Sequence, residues 1–228
     1  MYGIKNSFNC IIFDLDNTLY DEKFFYLKFA HYLSKKYKFS YSIVKKKFNL
    51  EYKKNSEDPI KLILQLANIF SSNQHEICFN LLKNFKTRIT ISNSTKSLLE
   101  KLKKNKIKTG ILTNGDVRIQ KNKIDSLKIK KYFNKIVYAR NCFKEKPHKS
   151  SFETILKLMK CNKKTTIFVG DNYYTDILGA YNINLKTVFI IKNTSKKKGI
   201  NYCLSSLNKL NKQINFQNEK KSFSINWY

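Results

Sequence analysis

Short apolar runs alternate with amphipathic stretches over most of this chain. Cys10 to Phe13 is apolar at every position, and Ile107 to Leu112, Lys135 to Ala139, Thr165 to Val169 and Lys186 to Ile191 are largely so. Runs of that length without polar alternation predict strands buried on both faces of a parallel sheet. Between them, Leu98, Leu99 and Leu102 mark a helix over about Ser94 to Lys104. Similar spacing predicts helices over Val117 to Leu127, Ser150 to Met159 and Thr175 to Tyr181. Strand and helix in alternation imply βαβ units. The fold class is therefore α/β, a Rossmann-like parallel-sheet core with helices on both faces.

The pattern changes between Tyr20 and Ile91, where no strand signal occurs. Amphipathic helices fit Glu22 to Lys36, Tyr41 to Lys54, Pro59 to Phe70 and Gln74 to Lys86. Asp58-Pro59 reads as an N-cap followed by proline at the first helical position. Asn73 with Glu76 three residues on has the form of a capping box. Phe24, Leu27, Phe70 and Phe85 are expected to form the core of this helical segment. The chain thus divides into a core (1–20 and 92–215), an inserted all-helical domain (21–91) and a tail (216–228). Tyr202 to Leu204 suits a last edge strand and Leu207 to Ile214 a short helix. The tail is either frayed or docked by Phe223, Ile225 and Trp227.

Composition narrows the classes. A length of 228 residues with 42% apolar content supports one large domain, or a core with an insertion. No run of about 18 apolar residues is present, so no membrane span is expected. Met1 to Asn9 lacks the apolar region of a signal peptide. Cys10, Cys78, Cys142, Cys161 and Cys203 are scattered without CxxC spacing, which suggests neither a disulfide framework nor a zinc site. A reduced, cytoplasmic setting is expected. His31, His75 and His148 lack metal-ligand spacing. The net charge is +29, yet only Arg88, Arg118 and Arg140 among the 45 basic residues are arginine. Base-reading proteins usually need arginine forks. The charge is therefore read as compositional drift towards Lys and Asn, and no specific nucleic-acid partner is expected. A positive field would still attract a phosphorylated small molecule.

Four segments carry chemistry: Phe13 to Leu19 (FDLDNTL), Leu112 to Gly115 (LTNG), Lys146-Pro147, and Gly170 to Asp176 (GDNYYTD). In open parallel sheets ligands bind beyond the carboxyl ends of the strands. Asp14, Thr113 and Asp171 lie at or just past the ends of apolar strands, so they should converge in one crevice. Carboxylates placed that closely repel unless a cation or proton lies between them. Mg²⁺ accepts few carboxylates together with water and phosphate oxygens. Asp14, Asp171 and the backbone carbonyl of Asp16 make a suitable set. The Asp16 carboxyl can then act as general acid and later as base. Thr113 can donate a hydroxyl hydrogen bond to a phosphoryl oxygen, and Lys146 supplies a point charge. Asp176 either orients Lys146 or a metal-bound water, or serves the start of its helix.

In order and spacing these residues resemble the haloacid dehalogenase (HAD) superfamily, whose motifs read DxD, then T/S, then K, then GDxxxxD. The resemblance spans about residues 10–205. The helical insertion after the first motif is similar to the C1-type cap of subfamily I. The wording of Asp16 to Glu22 resembles small-molecule phosphatases of that group. The resemblance implies that Asp14 forms an aspartyl-phosphate intermediate and that Asp16 is the acid/base. It further implies that Thr113, the Asn114 amide and Lys146 hold the phosphoryl group, that Asp171 completes the Mg²⁺ shell, and that a cap opens and closes. Asp16 separates phosphoryl transfer from 2-haloacid dehalogenation, which needs no acid at that position. The expected function is a Mg²⁺-dependent phosphatase acting on a small phosphate monoester, as monomer or homodimer. A phosphomutase or phosphotransferase on the same scaffold is the near alternative. A non-catalytic, basic nucleic-acid-associated protein is the distant one.

Overall fold

The computed structural model describes residues 7–52, 58–69, 71, 73–142, 144–191, 197–217 and 221–226. Its chain divides into two compact units: residues 1–20, 90–117 and 128–228 in one, and 21–89 with 118–127 in the other.

The first unit is built on a parallel sheet. Its strands are β1 (Cys10–Phe13), β2 (Lys108–Thr113), β3 (Lys135–Tyr138), β4 (Thr166–Gly170), β5 (Lys186–Ile190) and β6 (Tyr202–Leu204), in the order β3-β2-β1-β4-β5-β6. β1 lies between β2 and β4, and every residue of β1 is buried. That position explains its unbroken apolar sequence, because both faces are covered. Alternate residues separate the faces. Cys10, Ile12, Leu112, Val137 and Phe168 join Phe152, Ile155, Leu156 and Met159 in one cluster. Phe13 points elsewhere, edge-on to Phe133 at 6.3 Å. The cluster's helical residues come mainly from α7 (Lys149–Met159), with Ala180 from α8 (Gly179–Tyr181), whereas α5 (Asn93–Lys104) packs on β2 and on α9 (Leu207–Gln213).

In this unit the expected strands and helices occur within a residue or two; in the other, the helix expected over Pro59 to Phe70 ends at Leu66 and that expected over Tyr41 to Lys54 ends at Glu51. One difference lies at the end of the chain. β7 (Ile214–Gln217) and β8 (Ser222–Ile225) form an antiparallel hairpin, and Phe8 and Phe223 exchange two backbone hydrogen bonds of 2.7 Å. Phe223 is wholly buried against Phe8 and Ile225 is buried, so this part of the tail is docked. Trp227 lies outside the described residues. A second difference concerns cysteine. Cys10 and Cys161 form a disulfide across 151 residues of chain, with Cα atoms 6.4 Å apart. The scattered spacing gave no sign of it, because a sheet strand and a helix end are brought together only by packing.

The second unit contains α1 (Lys23–Tyr37), α2 (Tyr41–Glu51), α3 (Pro59–Leu66), α4 (Gln74–Asn84) and residues 118–127 of α6 (Val117–Leu127). Asp58 caps α3, accepting from Lys61 N at 3.0 Å, with Pro59 at the first helical position. The expected capping box at Asn73 does not form. Asn73 has φ −98° and ψ −3°, not the extended backbone from which a cap side chain reaches the first turn. The core also differs. Phe25 and Phe29 are wholly buried and meet Phe85 edge-on at 5.7 and 5.2 Å, while Phe24 is 57% exposed. Leu27 is buried as expected, and Phe70 lies outside the described residues. At the start of α1, the buried Lys123 ammonium donates to Glu22 Oε1 at 2.6 Å, and Tyr52 donates to Glu22 Oε2 at 2.9 Å.

Candidate active site

Register places the motif residues before any side chain is considered. Phe13 pairs with Ile111 of β2 and with Val169 of β4. Asp14 therefore leaves the sheet level with Leu112 and Gly170, one residue short of Thr113 and Asp171. Its amide still donates to Val169 O at 2.9 Å. These carboxyl ends lie where the strand order reverses direction in sequence, the usual place for a ligand crevice in such sheets.

Side chains close the arrangement. Carboxylate oxygens of Asp14, Asp171 and Asp176 lie within 4.8 Å of one another. Lys146 Nζ, buried, donates to Asp14 Oδ1 at 2.6 Å and to Asp176 Oδ1 at 2.7 Å. Asp176 Oδ2 accepts from the Asn172 amide at 3.1 Å. A π-helical turn over Tyr173–Leu178 makes this reach feasible, and Asn172 Oδ1 starts the turn by accepting from Tyr174 N and Thr175 N. Gly170 is needed for the same reason. A Cβ there would lie 2.5 Å from the Asp176 side chain. Asp176 thus bonds both the Lys146 ammonium and the amide at the start of its helical turn.

The remaining predicted residues surround this group. Thr113 ends β2 and is buried, its hydroxyl donating to Asn114 O at 3.3 Å. Asn114 clasps the Lys146 backbone: Oδ1 accepts from Lys146 N and Nδ2 donates to Lys146 O, each at 2.9 Å. Asp16, half-buried, accepts from the Tyr20 hydroxyl at 2.7 Å. Thr18 donates to Asp171 Oδ1 at 3.4 Å. Thr18, Tyr20, Glu145, Gly170 and Asn172 contact these residues or their loops, and sequence reasoning assigned them no role. Only the Asn and Gly types carried a turn signal. Tyr174 is 69% exposed, and Tyr173 donates to Lys198 O at 3.1 Å.

The charges of these groups would suit a cation. Burial pushes the Asp14 carboxyl up to about 7, with Asp176 and Asp16 adding to the rise and Lys146 opposing it. Burial, then the charges of Asp14 and Asp176, pushes Asp171 up to about 8. Burial alone would lower the Lys146 ammonium, but Asp14 and Asp176 outweigh it and hold the group above its ordinary range. One ammonium does not neutralise three carboxylates, so a divalent cation fits the donor set. The hard oxygen ligands suit Mg²⁺ rather than a thiophilic metal. Among the described residues no other group of three His, Cys, Asp or Glu side chains has metal-binding geometry.

Sequence and fold are both similar to those of known proteins. Residues 11–190 match the model of the haloacid dehalogenase-like hydrolase family. The N-acylneuraminate-9-phosphatase of Homo sapiens is 34% identical over 120 residues, covering 52% of this chain and 48% of that protein. The chain thus spans about half the length of that relative. The glyceraldehyde 3-phosphate phosphatase of Methanothermobacter thermautotrophicus is 27% identical over 201 residues, covering 79% of this chain and 84% of that protein. A magnesium-bound HAD-hydrolase from Bacillus subtilis superposes with a TM-score of 0.67 at 16% identity, over 89% of this chain and 96% of that one. A β-phosphoglucomutase from Clostridium difficile superposes with a TM-score of 0.58 at 26% identity, over 89% and 93%.

Proposed function

This chain belongs to the haloacid dehalogenase-like hydrolase family, and from that premise we propose that it is a phosphatase acting on a small phosphate monoester. One observation carries the reading: Lys146 Nζ bonded to Asp14 and Asp176 beside the Asp171 carboxylate. Asp14 is the nucleophile. Lys146 holds one of its oxygens, and the other attacks phosphorus in line. As the ester P–O bond breaks, Asp16 gives its proton to the leaving alkoxide, and Tyr20 holds its carboxyl in place. Thr113, the Asn114 amide and Lys146 hold the phosphoryl oxygens. Asp16, now ionised, takes a proton from water, which attacks the acyl phosphate and releases orthophosphate with Asp14 restored. Asp14, Asp171 and the Asp16 carbonyl would hold Mg²⁺, whose charge offsets that of the phosphoryl oxygens.

The substrate class is a sugar phosphate or nucleotide-like ester, with phosphorylated sugar acids and trioses first to be tried in view of the relatives' activities. The test is turnover of p-nitrophenyl phosphate. Asp14→Asn should reduce it by at least about 10³-fold with the fold intact, and EDTA should abolish it reversibly. Activity that survives both changes rejects the reading. A second reading, sugar-phosphate isomerisation, is favoured by the similarity to a β-phosphoglucomutase. It uses the same residues and differs in its product, an isomerised sugar phosphate instead of free phosphate.

A further inference from the structure

We propose that Glu145 is a positioning residue for phosphoryl binding, tying the turn that carries Thr113 and Asn114 to the loop that carries Lys146. Glu145 Oε1 accepts from the Gly115 amide at 2.7 Å. Its backbone carbonyl accepts from His148 N at 3.0 Å, closing the turn that leads into α7. The same two loops are already clasped by both Asn114–Lys146 bonds. Asn114 fixes the Lys146 backbone, and Glu145 fixes the far end of the turn. Gly115 has φ 98°, a left-handed conformation that a glycine adopts without strain, so the turn is soft unless something holds it. A carboxylate here is an unexpected neighbour for a phosphate dianion. Arg140 answers that objection, because its Nε lies 3.4 Å from Glu145 Oε1. The pair lets a strong acceptor grip the Gly115 amide without presenting net negative charge.

The inference rests on the phosphatase reading and deepens it. Phosphoryl binding depends on donors held in place beforehand, so loosening the turn should weaken binding more than folding. The experiment compares wild type, Glu145→Ala, Glu145→Gln, and Arg140→Ala alone and with Glu145→Gln. The readouts are p-nitrophenyl phosphate kinetics with Mg²⁺, inhibition by orthovanadate, and thermal melting. Glu145→Ala should raise KM and the orthovanadate inhibition constant about tenfold with an unchanged melting temperature, since this half-exposed side chain bears little packing. Glu145→Gln keeps the acceptor oxygen and should return both values to within about twofold. Arg140→Ala should weaken orthovanadate binding beside Glu145 but not beside Gln. Wild-type inhibition by orthovanadate in Glu145→Ala overturns the proposal, as do equal losses in Ala and Gln. If Glu145→Ala does not fold, the Arg140 comparison decides: an effect independent of residue 145 overturns it. A wild-type protein without turnover brings down the phosphatase reading, and this proposal with it.

Discussion

At the scale of single residues, the site is governed by which carboxylates can ionise. Asp14 and Asp171 are pushed from 3.8 to about 7 and about 8, burial being the largest cause of each. Between about pH 4 and pH 8 the folded protein therefore keeps protons that the unfolded chain has released. More protons bound in the folded state means that stability falls as pH rises through this window. Without metal, the melting temperature of wild type relative to Asp171→Asn should drop from about pH 5 to about pH 8. Mg²⁺ competes with those protons, so it should raise the melting temperature more at the higher pH. Thermal melts with and without Mg²⁺ at both values check this, and an equal Mg²⁺ effect at both would contradict it.

At the scale of elements, buried polar pairs fix helices that apolar packing alone would leave free to rotate. In the helical unit, Lys123 is held by Glu22 and lies 5.2 Å over Phe25 and 5.5 Å over Tyr26. Removing one partner of such a pair leaves a buried charge unanswered. Lys123→Met should cost about 3 kcal/mol, and Glu22→Gln combined with it should recover most of the loss. Denaturant unfolding measures both. Equal stability of Lys123→Met and wild type would show that the pair is dispensable. Nothing in the spacing of α6 marked Lys123 as buried, since a lysine among lysines reads as a solvated face. The strands were legible for the opposite reason: β1 is apolar throughout and β4 after Thr166, because each is buried along its whole length.

At the scale of the whole molecule, a chain of net charge +29 carries an acidic, buried site. A field of that sign concentrates phosphate dianions near the protein. Raising ionic strength from about 20 to 300 mM should lower kcat/KM for a dianionic substrate roughly three- to tenfold, mainly through KM. The contrasting outcome is tight DNA or RNA binding with a steep salt slope and no effect of Asp14→Asn. That outcome would favour the basic-protein alternative. No helix among the described residues is long and apolar enough to cross a membrane.

The order of elements and the identity of the motif residues were set by the sequence alone. Periodicity records burial, and turn residues record local backbone geometry; both are short-range and survive in a linear reading. Thus Asp14, Thr113 and Asp171 could be assigned to one crevice from strand ends alone. Contacts between side chains far apart in the chain were decided only in three dimensions. Lys146 with Asp176, Glu145 with Gly115, Cys10 with Cys161, and Phe8 with the β7–β8 hairpin all depend on sheet register and helix placement. Such pairs leave no periodic trace, because each partner satisfies its own local pattern equally well whether or not the other is near.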